Sequence, residues 1–187
     1  MSERLHDIEP ERVRPLRRTE YEQMVEKGLF AGERVELLRG ALVEMTPQDP
    51  FHSGVVQILY ERLLPLLSGR ATVRVLFPLA VGADSMPEPD IAVVPLGDYR
   101  SQHPTTALLV IEVAGTSLRK DRLLKGELYA EAGVPEYWVV NLNDRVVEVS
   151  TQPRSGTYET RQTLRPGETL RPRGFPDAVL AVSDLVG

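Results

Sequence analysis

The chain of 187 residues contains no cysteine and only three histidines. The missing thiols exclude disulfides, thiolate metal sites and a cysteine nucleophile, and they suit a reducing compartment. The histidines are His6, His52 and His103, too few to favour zinc, which proteins hold mainly through histidine and cysteine. If this chain binds a metal, we expect carboxylate oxygens as its ligands.

Long apolar runs are missing too. No stretch approaches the roughly 18 to 20 apolar residues that a membrane-spanning helix needs, and the first residues carry no apolar leader segment. We therefore expect no membrane partner, and the cytoplasm is the default location. The net charge of −5 provides no global basic field for a polyanion, which counts against indiscriminate nucleic-acid binding but leaves room for a local groove.

Lysine is the rare cation of this chain. Of the 22 basic residues all but three are arginine, and the lysines are Lys27, Lys120 and Lys125. A lysine is therefore the unusual choice at any position, which draws attention to Lys125.

The length and composition are typical of one soluble globular domain spanning residues 1–187. The polar, arginine-rich residues 1–18 are expected to form an extended arm. Thr19 as N-cap and Glu22 three residues later predict a helix that runs to about Phe30. Alternating runs on either side of Arg39-Gly40 predict a hairpin over 34–45.

The centre of the chain alternates between helical and extended patterns. The pair Asp49-Pro50 and the apolar spacing after it predict a helix over 50–67. After Ser117, a stripe of Leu123, Leu124, Leu128 and Ala132 predicts a second helix that stops at Gly133. Strands are predicted at 71–81, 90–95, 107–113, 137–140, 145–151, 158–163 and near 178–182. The expected fold is α/β (α+β), with helices on a mixed sheet.

Two acids sit in apolar surroundings on predicted strands. Asp90 opens the run Ile-Ala-Val-Val, and Glu112 ends a run of apolar residues from Leu108. If the two strands are neighbours, both carboxylates reach one cleft, where two charges about 4 Å apart repel by roughly 4 kcal/mol at an effective dielectric near 20. A hard cation such as Mg²⁺, which takes one or two protein carboxylates and keeps several waters, turns that penalty into binding.

The helix after Ser117 adds a cation to this picture. Asp121, Lys125 and Tyr129 recur every four residues on a face offset from the leucine stripe. A lysine there could stabilise the charge that develops during phosphoryl transfer. Asp121 and Lys125 have the spacing of an ordinary surface ion pair as well, so this alternative stays open.

Each of the other candidates also has a structural alternative. Asp90 could simply shape a Pro-Asp turn before its strand. Glu112 could be a water-exposed acid on an edge strand, and Glu36 could face solvent from the hairpin. His52, at the start of its helix, could be a capping or surface residue.

Taken together, residues from about 34 to 185 resemble the Uma2 family, also called DUF820, of restriction-endonuclease-like nucleases in the PD-(D/E)XK superfamily. The most specific run is Ala-Gly-Val-Pro-Glu-Tyr-Trp-Val-Val at 132–140. The other matching pieces are Val35-Glu36-Leu37-Leu38-Arg39-Gly40, Val43-Glu44-Met45, His52, Pro89-Asp90, Glu112-Val113, Ser117, Asp121, Lys125 and Tyr129.

The resemblance implies a restriction-endonuclease-like αβββαβ core on a mixed sheet, flanked by an N-terminal helix and hairpin and by C-terminal β additions. It implies Mg²⁺ or Mn²⁺ held by Asp90 and Glu112, with Lys125 assisting a metal-activated water that hydrolyses a phosphodiester bond. The residues expected to support this site are Glu36, His52, Asp121, Ser117 and Tyr129. DNA is the implied partner, and a homodimer is expected because cutting both strands of a duplex usually takes two sites.

Two departures from the family pattern affect this interpretation. The lysine expected two residues after the metal-binding Glu is replaced by Ala114, so its role falls to Lys125 on the following helix. The loop 114–116 reads Ala-Gly-Thr and lacks the usual serine and proline. The alternatives are therefore a catalytically silent module that binds protein or nucleic acid, and a hydrolase of small phosphodiesters, which suits the acidic charge better than DNA does.

Overall fold

The computed structural model describes residues 14–187, so most of the predicted N-terminal arm lies outside the described residues. Helices and strands alternate along the chain, and six of the strands form a central sheet. They are α1 (Arg18–Glu26), β1 (Val35–Leu38), β2 (Ala41–Glu44), α2 (Pro50–Leu67), β3 (Thr72–Val75), β4 (Ile91–Val94), β5 (Leu109–Ala114), α3 (Leu118–Lys120), a π-helical segment (Asp121–Lys125), α4 (Gly126–Glu131), β6 (Glu136–Asn141), β7 (Val146–Arg154), β8 (Thr157–Leu164), β9 (Thr169–Leu170), β10 (Leu180–Ala181) and α5 (Ser183–Val186).

The central sheet has six strands in the order β3-β4-β5-β6-β7-β8. All neighbouring strands are antiparallel except β5 and β6, which run parallel and are joined by the helical residues 118–131. A parallel pair needs such a crossover because a tight turn can only reverse the chain. The elements from α2 to β6 follow the order αβββαβ, so the predicted mixed α+β core is confirmed.

Apolar side chains cover both faces of this sheet. On one face α2 and α5 pack over Ile91, Ile111 and Trp138. On the other face α4 packs over Ala92 and Val110. Trp138 is fully buried in this core. In the part of the chain that the structure covers, no helix is both long and apolar enough to cross a membrane.

The start of α1 differs from its prediction. Arg17, not Thr19, is the N-cap, and its backbone N–H donates to the Glu20 carboxylate at 2.8 Å. The backbone N–H of Arg18 donates to the carbonyl of Ala83 at 2.8 Å, which places the first turn earlier than the local pattern indicates. The helix then ends at Glu26 rather than Phe30.

The hairpin of β1 and β2 is confirmed, with Val35 paired to Glu44 and Leu38 to Ala41. Its two turn residues both have left-handed backbones, with φ of 49° at Arg39 and 77° at Gly40. A side chain at residue 40 would also collide with Pro15. Glycine is therefore required here for conformation and for space.

The strand predicted over 71–81 is too long. The ladder stops at Val75, and Leu76 turns away with a left-handed φ of 52°. The remaining residues run across the second face of the sheet, where Leu79 and Val81 join the core.

The helix after Ser117 is present, but its predicted leucine stripe is only partly correct: Leu128 is buried and Ala132 packs against the core, whereas Leu123 does not. Leu123 is 52% exposed, whereas Asp121, Lys125 and Tyr129 are buried. The cause is the π-helical segment, in which each turn takes more residues than in an α-helix and so changes which side chains share a face. The helix ends before Gly133, whose φ of 73° allows the predicted stop.

Candidate active site

A cleft of about 1040 Å³ opens where β4 begins and β5 ends. Its walls come from β2, the first turn of α2, the loop after β5 and the π-helical segment. Buried charged side chains form its floor. They are Glu36, Asp90, Glu112, Asp121 and Lys125.

Asp90 and Glu112 lie side by side across two neighbouring strands. β4 and β5 are antiparallel with Ile91 opposite Ile111, so extending this register by one residue sets Asp90 opposite Glu112. Residues opposed in this way have Cβ atoms about 4.5 to 5.5 Å apart. Both side chains are nearly buried, with 7% and 5% of their surface exposed. β4 and β5 are thus neighbouring strands, which was the condition for Asp90 and Glu112 to reach one cleft.

Three donors from different elements fix the Asp90 carboxylate. Its Oδ2 accepts the backbone N–H of Val113 at 2.7 Å. Its Oδ1 lies 2.9 Å from Gln48 Nε2 and 3.0 Å from His52 Nε2. These partners are remote in sequence, so the interpretation of Asp90 as a local turn residue is wrong.

His52 reaches Asp90 because Asp49 starts α2 as predicted. The Asp49 carboxylate accepts the backbone N–H groups of Phe51 and His52 at 2.9 and 3.0 Å, which orients this turn towards the cleft. Burial lowers the pKa of His52, but its hydrogen bond and charge interaction with Asp90 outweigh this and raise the pKa above its ordinary value. His52 is a partner of Asp90 rather than a surface residue.

Glu112 accepts two hydrogen bonds at one oxygen. Lys125 Nζ lies 3.0 Å and the Tyr129 hydroxyl 2.8 Å from Oε1. β5 is an interior strand, so the edge-strand alternative for Glu112 is wrong. Burial raises the pKa of Glu112 above its ordinary value, because the attraction of Lys125 does not fully offset the lost hydration and the nearby acids Asp121 and Asp90.

Glu36 is the second partner of Lys125, at 3.1 Å from Nζ. It is fully buried, which contradicts the alternative of a solvent-facing hairpin acid. Lys120 Nζ lies 3.0 Å from Oε1 of Glu36, and the backbone N–H of Glu88 donates to Oε2, the oxygen that Lys125 contacts, at 3.2 Å. Burial alone would raise the pKa of Glu36, but Lys125 and Lys120 outweigh it and lower the pKa below its usual range.

Asp121 accepts a hydrogen bond from Ser117 Oγ at 2.5 Å. It is 2% exposed and Lys125 is 3% exposed, so the alternative of a surface ion pair between them is wrong. Lys125 contacts Glu112 and Glu36 instead. Burial raises the pKa of Asp121.

Three residues that line the cleft were not among the site residues predicted from the sequence: Gln48, Phe51 and Lys120. Lys120 carried a usable signal, because the scarcity of lysine that drew attention to Lys125 applies to it equally. Gln48 and Phe51 carried none, since their role depends on where α2 begins in space. Ala114, where the family pattern has a lysine, is fully buried against the second face of the sheet and has no room for a charged group.

The donor set of the floor suits a hard divalent cation. Among residues 14–187, no three His, Asp or Glu side chains form a ready-made metal-binding group. Mg²⁺, however, takes only one or two protein carboxylates and completes its shell with water. Asp90 and Glu112 provide those carboxylates at the base of an open cleft. The residues present therefore fit Mg²⁺ or Mn²⁺.

The chain is similar to known proteins in both sequence and fold. The Uma2 family model, described as "Putative restriction endonuclease", matches residues 18–183. The fold is similar to a crystal structure from Anabaena variabilis ATCC 29413, described as "a putative nuclease belonging to DUF820". The TM-score is 0.66 at 14% identity, with 83% of this chain and 91% of that chain covered. No curated protein matches. Since the family model spans every residue of the cleft, the chain belongs to the Uma2 family of restriction-endonuclease-like proteins.

Proposed function

We propose that this protein is a Mg²⁺- or Mn²⁺-dependent endonuclease that hydrolyses phosphodiester bonds of nucleic acid in the cleft. The observation that carries the proposal is the meeting of Asp90, Glu112 and Lys125 at one buried floor. Two opposed carboxylates and one lysine are costly to bury without a purpose, and family membership supports nuclease chemistry.

Asp90 and Glu112 would hold the cation, and both are oriented before it binds. Val113, His52 and Gln48 fix Asp90, while Tyr129 and Lys125 fix one oxygen of Glu112. When bound, the cation supplies Lewis-acid activation of water and neutralises charge on the phosphate. Hydrogen-bond partners of this kind orient the side chains that hold a metal. Losing one of them typically lowers metal affinity or activity by about 10- to 100-fold.

Lys125 would supply a positive charge near the phosphoryl oxygens, which carry the negative charge of the transition state. Burial lowers the pKa of Lys125, but the charges of Glu112 and Glu36 outweigh burial and raise it, so the side chain stays protonated at neutral pH. It is a fixed electrostatic stabiliser, preorganised by its two acid partners. Ser117 and Asp121 support the turn from which Lys125 projects.

The test is cleavage of plasmid and single-stranded DNA with Mg²⁺ or Mn²⁺ by wild type, Asp90→Asn and Lys125→Met. Lys27→Met serves as the matched control, because Lys27 is exposed at the end of α1. We expect cleavage by wild type and Lys27→Met only, with circular dichroism showing that all four chains are folded. Equal residual cleavage by all four would overturn the proposal.

The charge of the cleft favours a second candidate, a hydrolase of small phosphodiesters. Three basic residues line the cleft: Arg119, Lys120 and Lys125. Seven acidic residues line it as well: Glu36, Glu44, Asp49, Glu88, Asp90, Glu112 and Asp121. This excess repels a polyanion more than a single phosphodiester. Activity on bis(p-nitrophenyl) phosphate without activity on any DNA would select this candidate.

A further inference from the structure

Two large apolar side chains stand exposed at the rim of the cleft. Phe51 is 55% exposed and Leu123 is 52% exposed, and both line the cleft. They come from different walls, Phe51 from the first turn of α2 and Leu123 from the π-helical segment. Leaving apolar side chains of this size in water forgoes the stabilisation that their burial would provide.

Both rim residues are tied closely to the floor. Phe51 precedes His52, which contacts Asp90. Leu123 lies between Asp121 and Lys125, and the π geometry buries these two charged neighbours while it turns Leu123 outward. Phe51 and Leu123 therefore line the same cleft as the floor that a substrate has to contact.

The floor is deep as well as charged. The side chains of Asp90, Glu112 and Lys125 are only 7%, 5% and 4% exposed. A phosphate group has to enter the cleft to reach them. In a duplex the bases are stacked inside and only the sugar-phosphate backbone would meet the apolar rim, so burying Phe51 and Leu123 against it would gain little.

Charge leads to the same conclusion. Tight duplex binding depends largely on phosphates neutralised by Lys and Arg, whereas acidic side chains outnumber basic ones in this cleft. Affinity has to come from a different contact. Stacking of an unpaired base on an aromatic ring contributes to affinity and needs no positive charge.

We infer that the substrate of this cleft is single-stranded nucleic acid, with an unpaired base stacked on Phe51 and packed against Leu123 while its phosphate reaches the floor. The inference rests on the proposed function and adds the substrate class. Phe51 and Leu123 select unpaired strands because only an unpaired base offers a free ring face between them.

The experiment is a binding titration by fluorescence anisotropy in Ca²⁺, which, like Mg²⁺, takes carboxylate and water ligands. Three labelled probes are used: a 12-nucleotide single strand, the same sequence as a duplex, and a 12-unit abasic strand with the same phosphates. The variants are Phe51→Ala and Leu123→Ala. Their matched controls are Phe77→Ala and Leu96→Ala, at residues 55% and 58% exposed that do not line the cleft.

We expect the single strand to bind wild type at least tenfold more tightly than the duplex or the abasic strand. Phe51→Ala should weaken single-strand binding about fivefold or more, Leu123→Ala should weaken it less, and the two controls should match wild type. Thermal melts of all five proteins should coincide, because the changed side chains are exposed.

Three results would overturn the inference: duplex binding as tight as single-strand binding, Phe51→Ala binding like Phe77→Ala, or no binding of any probe. Cleavage assays separate this failure from failure of the proposed function. Duplex cleavage that Asp90→Asn abolishes and Phe51→Ala preserves would leave the nuclease proposal standing without its substrate class. Selective binding of the single strand without cleavage would do the reverse.

Discussion

Lys125 Nζ lies 3.0 Å from Oε1 of Glu112, in a contact that is almost closed to solvent. The same nitrogen lies 3.1 Å from Glu36, so one lysine joins the N-terminal hairpin to the central strand of the sheet. A buried cation shared by two acids stabilises the fold less than its short distances suggest, because all three groups lose their hydration. Removing Lys125, however, takes away the cation beside Glu112, whereas Glu36 keeps Lys120.

The first prediction concerns stability at this triad. Lys125→Met removes the cation beside the buried Glu112, while Glu36 keeps Lys120, and we expect a loss of about 3 to 5 kcal/mol in the free energy of unfolding. Urea denaturation of the metal-free protein measures it. The double variant Lys125→Met/Glu112→Gln should lose less than Lys125→Met alone, because the acid that has lost its cation is gone as well. A double variant that is less stable than the single one would contradict this account.

The second prediction separates activity from stability at Tyr129. Its hydroxyl donates to Glu112 at 2.8 Å, and the Tyr158 hydroxyl makes a similar buried bond to the carbonyl of Val134 at 2.9 Å, away from the cleft. Tyr129→Phe and Tyr158→Phe should each cost about 1 kcal/mol of stability. Only Tyr129→Phe should also lower cleavage, by about tenfold, because it loosens Glu112. Equal activity in the two variants would show that this hydroxyl has no role at the site.

The third prediction uses the single tryptophan as a pH probe. Trp138 Nε1 donates to Glu136 at 2.8 Å, and the backbone N–H of Arg173 donates to the other oxygen at 2.6 Å. Burial raises the pKa of Glu136 above its ordinary value, although both hydrogen bonds oppose the shift. Trp138 fluorescence should therefore change with a midpoint above pH 4.5, the ordinary value for this group.

The sign of the linked stability change follows from the same shift. Above pH 4.5 the unfolded chain has lost this proton while the folded protein still holds it. The contribution of Glu136 to stability therefore falls as the pH rises through the raised pKa. Glu136→Gln should remove both the fluorescence transition and this slope. A transition that persists in Glu136→Gln would belong to another group.

The fourth prediction concerns the ion pair between Arg122 and Glu148, which connects the π-helical segment to β7. Arg122 Nε lies 2.9 Å from Glu148 on β7, and this hydrogen bond, together with one from Asn141, outweighs burial and lowers the pKa of Glu148. A lowered carboxylate pKa stabilises the fold at neutral pH, and the contribution is lost as the pH falls through that pKa. Because the pair is partly exposed, Arg122→Met should cost only about 1 kcal/mol at pH 7 and less in acid. Arg119→Met, at an exposed residue of the preceding turn, should be near neutral, and a loss equal to that of Arg122→Met would contradict this assignment.

The order of the core elements could be predicted because each depends on a local pattern. Asp49-Pro50 begins α2, and the runs around Asp90 and Glu112 form strands whose predicted ends differ from the observed ones by one or two residues. The cap of α1 could not be predicted, because the contact of Arg18 with Ala83 bridges 65 residues of sequence. Tertiary hydrogen bonds overrode a good local capping pattern there.

In the candidate site, too, some features could be predicted from local sequence and others depend on contacts between distant residues. The cost of burying Glu112 can be inferred from its apolar neighbours, and its burial is observed. The residues that surround the buried Glu112 cannot be inferred from sequence spacing. Glu36, which shares Lys125 with Glu112, comes from a hairpin 76 residues earlier in the chain. The outward position of Leu123 could not be predicted from the sequence either, because helical patterns assume a constant number of residues per turn.

The π-helical segment has a consequence for sequence alignment. A relative whose helix is α-helical throughout this stretch needs one residue fewer to lead from Asp121 to Tyr129. An ungapped alignment with such a relative would set the wrong residue against Lys125 and would report that the lysine is missing. Family alignments should therefore allow a single-residue gap within 121–129.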